Sequence, residues 1–207
     1  MKAKSKIANE TLRKSIHLFS SIVPFSYIYI PRDVEIVLLS IMFVMMLSVD
    51  IGRAHSKAFR DFYDRFLGRI LRHHETEDGG LSLTGGSYIV LAFLLCAVLF
   101  PKPLAITAMF IVIFCDSMAA LYGILFGRIK IGKGKTLEGS LAFLFTGLIV
   151  VSLSPKMTES PGEFYIAALS VILTTIVELV PVKVDDNLVI PMFFGASYLL
   201  LLKIFIQ

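Results

Sequence analysis

The chain is dominated by long uninterrupted runs of apolar residues, and no soluble layer architecture has room for them. Seven such segments can be read, over 16–30, 34–51, 86–101, 103–126, 139–153, 164–180 and 188–206. A bilayer-spanning helix needs about 20 mostly apolar residues, and a run this apolar has no polar face to show water. The mean hydropathy of +0.79 and the 56% hydrophobic content agree, since an ordinary soluble domain is about 45–50% apolar. The expected fold class is therefore all-α, a polytopic transmembrane helical bundle of about seven spans. One catalytic or transport domain would occupy 1–207, because too little chain lies between the spans to build another.

The turns between spans are short and rich in breakers: Pro31-Arg32-Asp33, Pro101-Lys102-Pro103, Ser160-Pro161-Gly162 and Pro181. Pro24 falls inside the first segment and predicts a kink or partial re-entry there. That segment leads into a second apolar run without a small-residue cleavage site, so a cleaved secretory leader is not expected. Cys96 and Cys115 both lie within apolar runs and read as small buried hydrophobes.

Basic residues set the expected orientation. Of the 20 lysines and arginines, 16 fall before the first span, in the 52–85 and 127–138 loops, or at Lys183. The positive-inside rule makes that face, and the N-terminus, cytoplasmic. Within the 52–85 loop, Phe59, Phe62, Phe66, Leu67, Ile70 and Leu71 recur at helical spacing. They predict an amphipathic helix near 56–73, lying in the cytoplasmic interface or packed on the bundle. His73-His74-Glu75 follows and reads as solvated loop, because adjacent histidines do not share one ion easily.

Acids inside the hydrocarbon are costly enough to carry a functional reading. Asp50 and Glu178 end their spans, where pairing with a basic neighbour at the interface is an equal alternative. Asp116 lies deeper, about ten residues before the end of its run, and reads as a metal or proton ligand or as an interhelical hydrogen-bond partner. Ala119, Ala120, Gly123 and Gly127 follow on roughly the same helical face and permit close approach of a helix or a ligand. The next loop, from Gly127 through Arg128, Lys133, Lys135, Thr136, Glu138 and Gly139 to Ser140, combines mobile positive charge with exposed backbone N–H groups. That chemistry suits a polyphosphate, with the start of the fifth span as a further anion site. Gly127 to Lys133 fits G-x-x-x-x-G-K, but Gly134 stands where Ser or Thr belongs and no strand precedes it, so a P-loop is excluded. Asp185-Asp186-Asn187 suits Mg²⁺ and equally suits a helix cap. Glu10, Arg13, Lys14 and His17 share one face of the entering helix. A single face thus offers acids for a divalent ion, cations for phosphates, and a depth matching a lipid headgroup.

Four motifs in order carry a resemblance over about 10–195. Glu10-x-x-Arg13-Lys14-x-x-His17, Asp116-x-x-Ala119-x-x-x-Gly123-x-x-x-Gly127, Lys135-Thr136-x-Glu138-Gly139-Ser140-x-Ala142, and Glu178 followed by Asp186-Asn187-x-x-x-Pro191 resemble the signatures of the polyprenol kinase family. That family comprises dolichol kinase, phytol kinase and CTP-dependent diacylglycerol kinase, and is distantly similar to the phosphatidate cytidylyltransferases. The resemblance implies a membrane phosphotransferase moving the γ-phosphoryl group of CTP, or ATP, to a lipid alcohol such as diacylglycerol, a polyprenol or phytol. It implies Mg²⁺ held among Asp116, Glu178 and Asp186, with Asp116, Lys135 and Asp186 as catalytic groups. Nucleotide contacts would come from Arg13, Lys14, His17, Gly123, Gly127, Arg128, Lys133, Thr136, Glu138, Gly139, Ser140 and Asn187. The short length resembles prokaryotic members, which implies a plasma-membrane enzyme with a cytoplasmic active site. A homodimer is compatible with this and a nucleic-acid partner is not expected. The alternatives are a phosphatidate cytidylyltransferase using the same pocket, and a small ion-coupled transporter with Asp116 as coupling acid.

Overall fold

The computed structural model describes residues 2–67, 83–131, 134–180 and 184–206, and among these the chain is helical apart from turns and one isolated antiparallel bridge between Lys130 and Thr136. The helices are α1 (Lys2–Phe19), α2 (Ile22–Tyr27), α3 (Arg32–His55), α4 (Lys57–Leu67), α5 (Gly85–Leu99), α6 (Lys102–Phe126), α7 (Leu137–Leu153), α8 (Gly162–Leu179) and α9 (Asp186–Phe205). Four of them, α3, α6, α8 and α9, are long and apolar enough to cross a membrane. Helices α5, of 15 residues, and α7, of 17, are shorter apolar helices of the same bundle.

Helix α6 is the hub. It packs against α1, α2, α5, α7 and α9, and 67% of its apolar window is buried. Helix α3 is peripheral, with only 17% buried, so Val37, Ile41 and Val44 face outward as lipid-facing side chains do. Glycines allow the close crossings. A Cβ on Gly147 of α7 would run into Val171 of α8, and one on Gly195 of α9 would run into the Phe100 ring.

The first apolar segment is not one helix. At its break the Ser20 N–H is shared between the Ile16 and His17 carbonyls at 3.2 and 3.1 Å, and the Ser20 hydroxyl donates to the His17 carbonyl at 2.5 Å. Pro24 brings no N–H to continue the ladder, and the helix is interrupted at Ser20-Ser21 between α1 and the short α2.

Helix α6 also departs from a plain α-helix. It is α-helical over Lys102–Phe110 and Asp116–Phe126, with a wider π-helical turn at Ile111–Cys115 between them. Cys115 is fully buried there, as Cys96 is on α5.

Helix α4 covers part of the stretch read as amphipathic. It folds back on the end of α3: the Phe59 ring lies over Gly52, the Arg53 guanidinium sits 4.8 Å from the Tyr63 ring centre, and Arg60 Nε donates to the Arg53 carbonyl at 3.0 Å. Residues 68–73 of that stretch and His73-His74-Glu75 lie outside the described residues.

Candidate functional site

At one end of the bundle, α1, α6, α7 and the ends of α8 and α9 enclose a cavity of about 500 Å³. Its wall carries four acids, Glu10, Asp116, Glu178 and Asp186, against three cations, Arg13, Lys14 and Lys135. The floor is small: Ala119, Ala120 and Gly123 from α6 meet Gly139 and Ser140 from α7. A Cβ on Gly139 would stand 2.8 Å from the Ala119 carbonyl oxygen, so only glycine lets the two helices approach this closely.

The charges are paired across the cavity. Lys14, buried on α1, forms an ion pair with Asp116 Oδ2. Lys135 Nζ lies 2.8 Å from Glu178 Oε1 and 3.1 Å from Asp186 Oδ2, and donates to the Glu178 carbonyl as well. Burial works against the Lys135 charge, but the two carboxylates outweigh it and hold the ammonium above the ordinary lysine range. Arg13 Nη2 pairs with Glu10 Oε1 at 2.5 Å on the same helix.

His17 stands behind Asp116 rather than in the cavity wall. Its Nε2 donates to the Val112 carbonyl at 3.1 Å and lies 3.9 Å from Asp116 Oδ2. Val112 belongs to the π-helical turn, whose widened geometry offers that carbonyl to a side chain. Such turns inside α-helices recur at functional sites.

The loop before α7 folds as a tight hairpin. The Ile131 N–H donates to the Lys135 carbonyl at 3.1 Å and the Leu137 N–H to the Ile129 carbonyl at 2.9 Å. Gly134 takes φ +84°, a left-handed conformation that turns the chain so that Lys135 enters the cavity. Thr136 caps α7, its hydroxyl accepting from the Gly139 N–H at 3.2 Å, and the Ser140 N–H donates to the Thr136 carbonyl at 3.0 Å. These amides are already engaged, so the cationic side chains, not the start of α7, are the readiest partners for an anion.

Several residues read from sequence as nucleotide contacts lie elsewhere. Gly127, Arg128 and Glu138 line a separate exposed hollow with Leu125 and Phe126. Both Glu138 carboxylate oxygens accept from the Ile129 N–H at 3.3 Å, so Glu138 braces the hairpin. Gly127 packs against Thr136, where no side chain fits. Asn187 donates through Nδ2 to the Gly85 carbonyl at 3.3 Å, tying α9 to α5. Asp185, not Asp186, caps α9, accepting from the Asn187 N–H at 2.9 Å, and this leaves Asp186 for Lys135. Lys133 lies outside the described residues. Glu10, Ile7, Ile124 and Gly134 complete the cavity and were not singled out as site residues from sequence. Glu10 shares its helical face and motif with Arg13, Lys14 and His17, and the structure pairs it with Arg13.

The donor set suits a hard divalent cation. Asp116, Glu178 and Asp186 supply oxygens, and one Lys135 ammonium already lies between Glu178 and Asp186. Glu178 Oε2 is buried with no hydrogen-bond partner. Among the described residues no group of three or more histidines, cysteines or acids stands close enough to hold a metal alone. A divalent cation here would have to draw part of its shell from water or substrate, as Mg²⁺ ordinarily does.

No family model matches the chain, and no solved structure does. An uncharacterized protein of Rickettsia prowazekii (strain Madrid E) is 34% identical over 190 residues, 91% of this chain and 92% of that protein. The CTP-dependent diacylglycerol kinase 1 of Eremothecium gossypii is 31% identical over 147 residues, 68% of this chain and 44% of the kinase, so the match spans less than half of that protein. The CTP-dependent diacylglycerol kinase 1 of Schizosaccharomyces pombe is 25% identical over 203 residues, 91% of this chain and 89% of the kinase.

Proposed function

The chain belongs to one family with the Rickettsia prowazekii protein and has two CTP-dependent diacylglycerol kinases as distant homologues, and from this we propose that it is a membrane lipid kinase. It transfers the γ-phosphoryl group of CTP to a lipid hydroxyl, with diacylglycerol as the first acceptor to try and a polyprenol or phytol after it. One observation carries the reading: Asp116, Glu178 and Asp186 meet Lys14 and Lys135 in a single cavity at one end of an apolar helical bundle. Phosphoryl transfer asks a protein for positioning and charge neutralisation, and this cavity offers both within reach of a lipid headgroup.

In this reading Lys135, on its hairpin, and Lys14, with Arg13 beside it, neutralise the triphosphate. Asp116, Glu178 and Asp186 would offer carboxylate oxygens to Mg²⁺, one or two at a time, and the bound ion would supply positive charge to the triphosphate. The carboxylate of Asp116 or Asp186 accepts the proton of the attacking hydroxyl. His17 holds the π-helical turn and keeps Asp116 facing the cavity. The small floor of Ala119, Gly123 and Gly139 lets the substrate approach the backbone.

The same reading gives seven crossings: α1 with α2 as a broken first, then α3, α5, α6, α7, α8 and α9. The excess of basic residues makes the site face cytoplasmic. The site residues then lie in the cytoplasmic half of the bundle, with Asp116 deepest and Lys135 on the hairpin before α7, and α4 lies along the same interface.

Purified protein in detergent, CTP labelled at the γ-phosphate, and a panel of lipid alcohols test this. The expected product is labelled lipid phosphate plus CDP. Release of pyrophosphate with a CDP-lipid would instead make it a cytidylyltransferase, and absence of any labelled lipid would remove the kinase.

A further inference from the structure

Each acid offered to a divalent cation is already held by a lysine. Lys14 holds Asp116, and a single Lys135 ammonium spans Glu178 and Asp186. A cation arriving alone must displace an ammonium from its carboxylate. A polyphosphate arriving alone meets a wall with four carboxylates against three cations. Arriving together, the two remove each other's obstacle: the ammonium groups move to phosphate oxygens and the carboxylates are freed for the metal. The side chains can make that exchange. Lysine carries its charge on a flexible four-carbon stem, and Lys135 keeps 25% of its side chain exposed. Glu178 Oε2, buried and without a hydrogen-bond partner, is a ligand atom that no residue serves.

We propose that Lys14 and Lys135 are resident counter-ions that close the acidic site to free divalent cations and release it when a polyphosphate binds. This rests on the lipid-kinase reading for the identity of the polyphosphate, but not for the metal behaviour. Its consequence is a gain where a loss would be ordinary: removing either lysine improves metal binding in the absence of nucleotide.

Mn²⁺ titration followed by electron paramagnetic resonance, on the full-length protein in detergent without nucleotide or lipid, tests it. Lys14→Met and Lys135→Met keep the side-chain length and delete the charge. Each is expected to bind Mn²⁺ at least about tenfold more tightly than wild type, within the usual range of coupling between sites. Adding Asp116→Asn to Lys14→Met should abolish its gain, and adding Glu178→Gln should abolish that of Lys135→Met. Two independent pairs keep the test open if one variant fails to fold. Wild-type Mn²⁺ affinity in both lysine variants, or a gain that survives loss of the acid, overturns the proposal. The outcomes separate from those of the kinase assay. Labelled lipid without a Mn²⁺ gain removes the counter-ion exchange and leaves the kinase. A Mn²⁺ gain without labelled lipid does the reverse.

Discussion

Lys14 and Asp116, 102 positions apart in the chain, close an ion pair across the mouth of the cavity and join α1 to the hub helix. The contact makes α1, which packs on the Asp116–Phe126 half of α6 and on its π-helical turn, part of the site. Asp116→Asn keeps the shape and removes the charge. Phosphoryl transfer should fall by at least about a hundredfold, the loss typical of a transition-state electrostatic contact. Lys135→Ala should behave alike. Initial rates of lipid labelling measure both, with size-exclusion profiles showing that the proteins still fold. A near wild-type rate in either variant removes that residue from the reaction.

Gly139→Val places a side chain where the Ala119 carbonyl already lies 2.8 Å from the first carbon. Helices α6 and α7 must part, and overpacking of this kind costs about 1–3 kcal/mol. A lower Tm in detergent and lost activity are expected together. Retained activity at an unchanged Tm would show that the floor of the cavity yields more easily than its geometry implies.

Gly134→Ala acts differently. At φ +84° any other residue carries about 1–2 kcal/mol of backbone strain, and no neighbouring atom lies within 4 Å of the added carbon. The strain falls on the hairpin that delivers Lys135. A KM for CTP raised up to about tenfold, with a modest drop in Tm, is the expected result. An unchanged KM would mean that the hairpin reaches the cavity by another backbone path.

Asp50 is a buried acid near the end of α3 with a different task. Buried on α3, it accepts from the Ser87 hydroxyl at 2.5 Å and the Thr84 N–H at 3.1 Å, and lies 3.7 Å from Arg53 Nη1. It braces the start of α5 and balances a buried guanidinium. Asp50→Ala should destabilise by about 3–5 kcal/mol, the loss usual when one partner of a buried pair is removed. Adding Arg53→Met should restore much of it. Equilibrium unfolding of both variants and the double variant measures the coupling, and additive losses would show the pair to be independent.

Much of the bundle was legible because hydrocarbon is an unforgiving solvent. An apolar run of sufficient length has few other fates, and a charge inside one must have a partner. Asp116 and Glu178 stood out for that reason, Asp186 stood out through its Asp-Asp-Asn turn, and the structure brings all three to one cavity. Less legible were features decided by single hydrogen bonds. Whether Asp185 or Asp186 capped α9 depended on one backbone angle. Glu138 was placed with the phosphate contacts by its neighbours in sequence, but the hairpin turns it toward the Ile129 N–H. Pro24 signalled a kink in the first segment, but its position after Phe19 is marked by the shared Ser20 N–H, which hydropathy does not register. Nothing in IVIFC distinguishes a π-helical turn from an α-helical one, since its five residues are apolar either way.

That turn sets a rotational phase. A π-helical turn accommodates one residue more than the α-helix around it, and one residue is about 100° of rotation. The half of α6 before it is keyed into the bundle by buried Ala105, Ala108 and Met109. The half after it carries Asp116, Ala119, Ala120 and Gly123 as a single dial hand. Losing one residue between Ile111 and Cys115 would leave every charged group in the chain intact and point that hand away from the cavity. The site's alignment is thus a matter of counting, kept by a stretch with no polar atom in its side chains except one buried thiol.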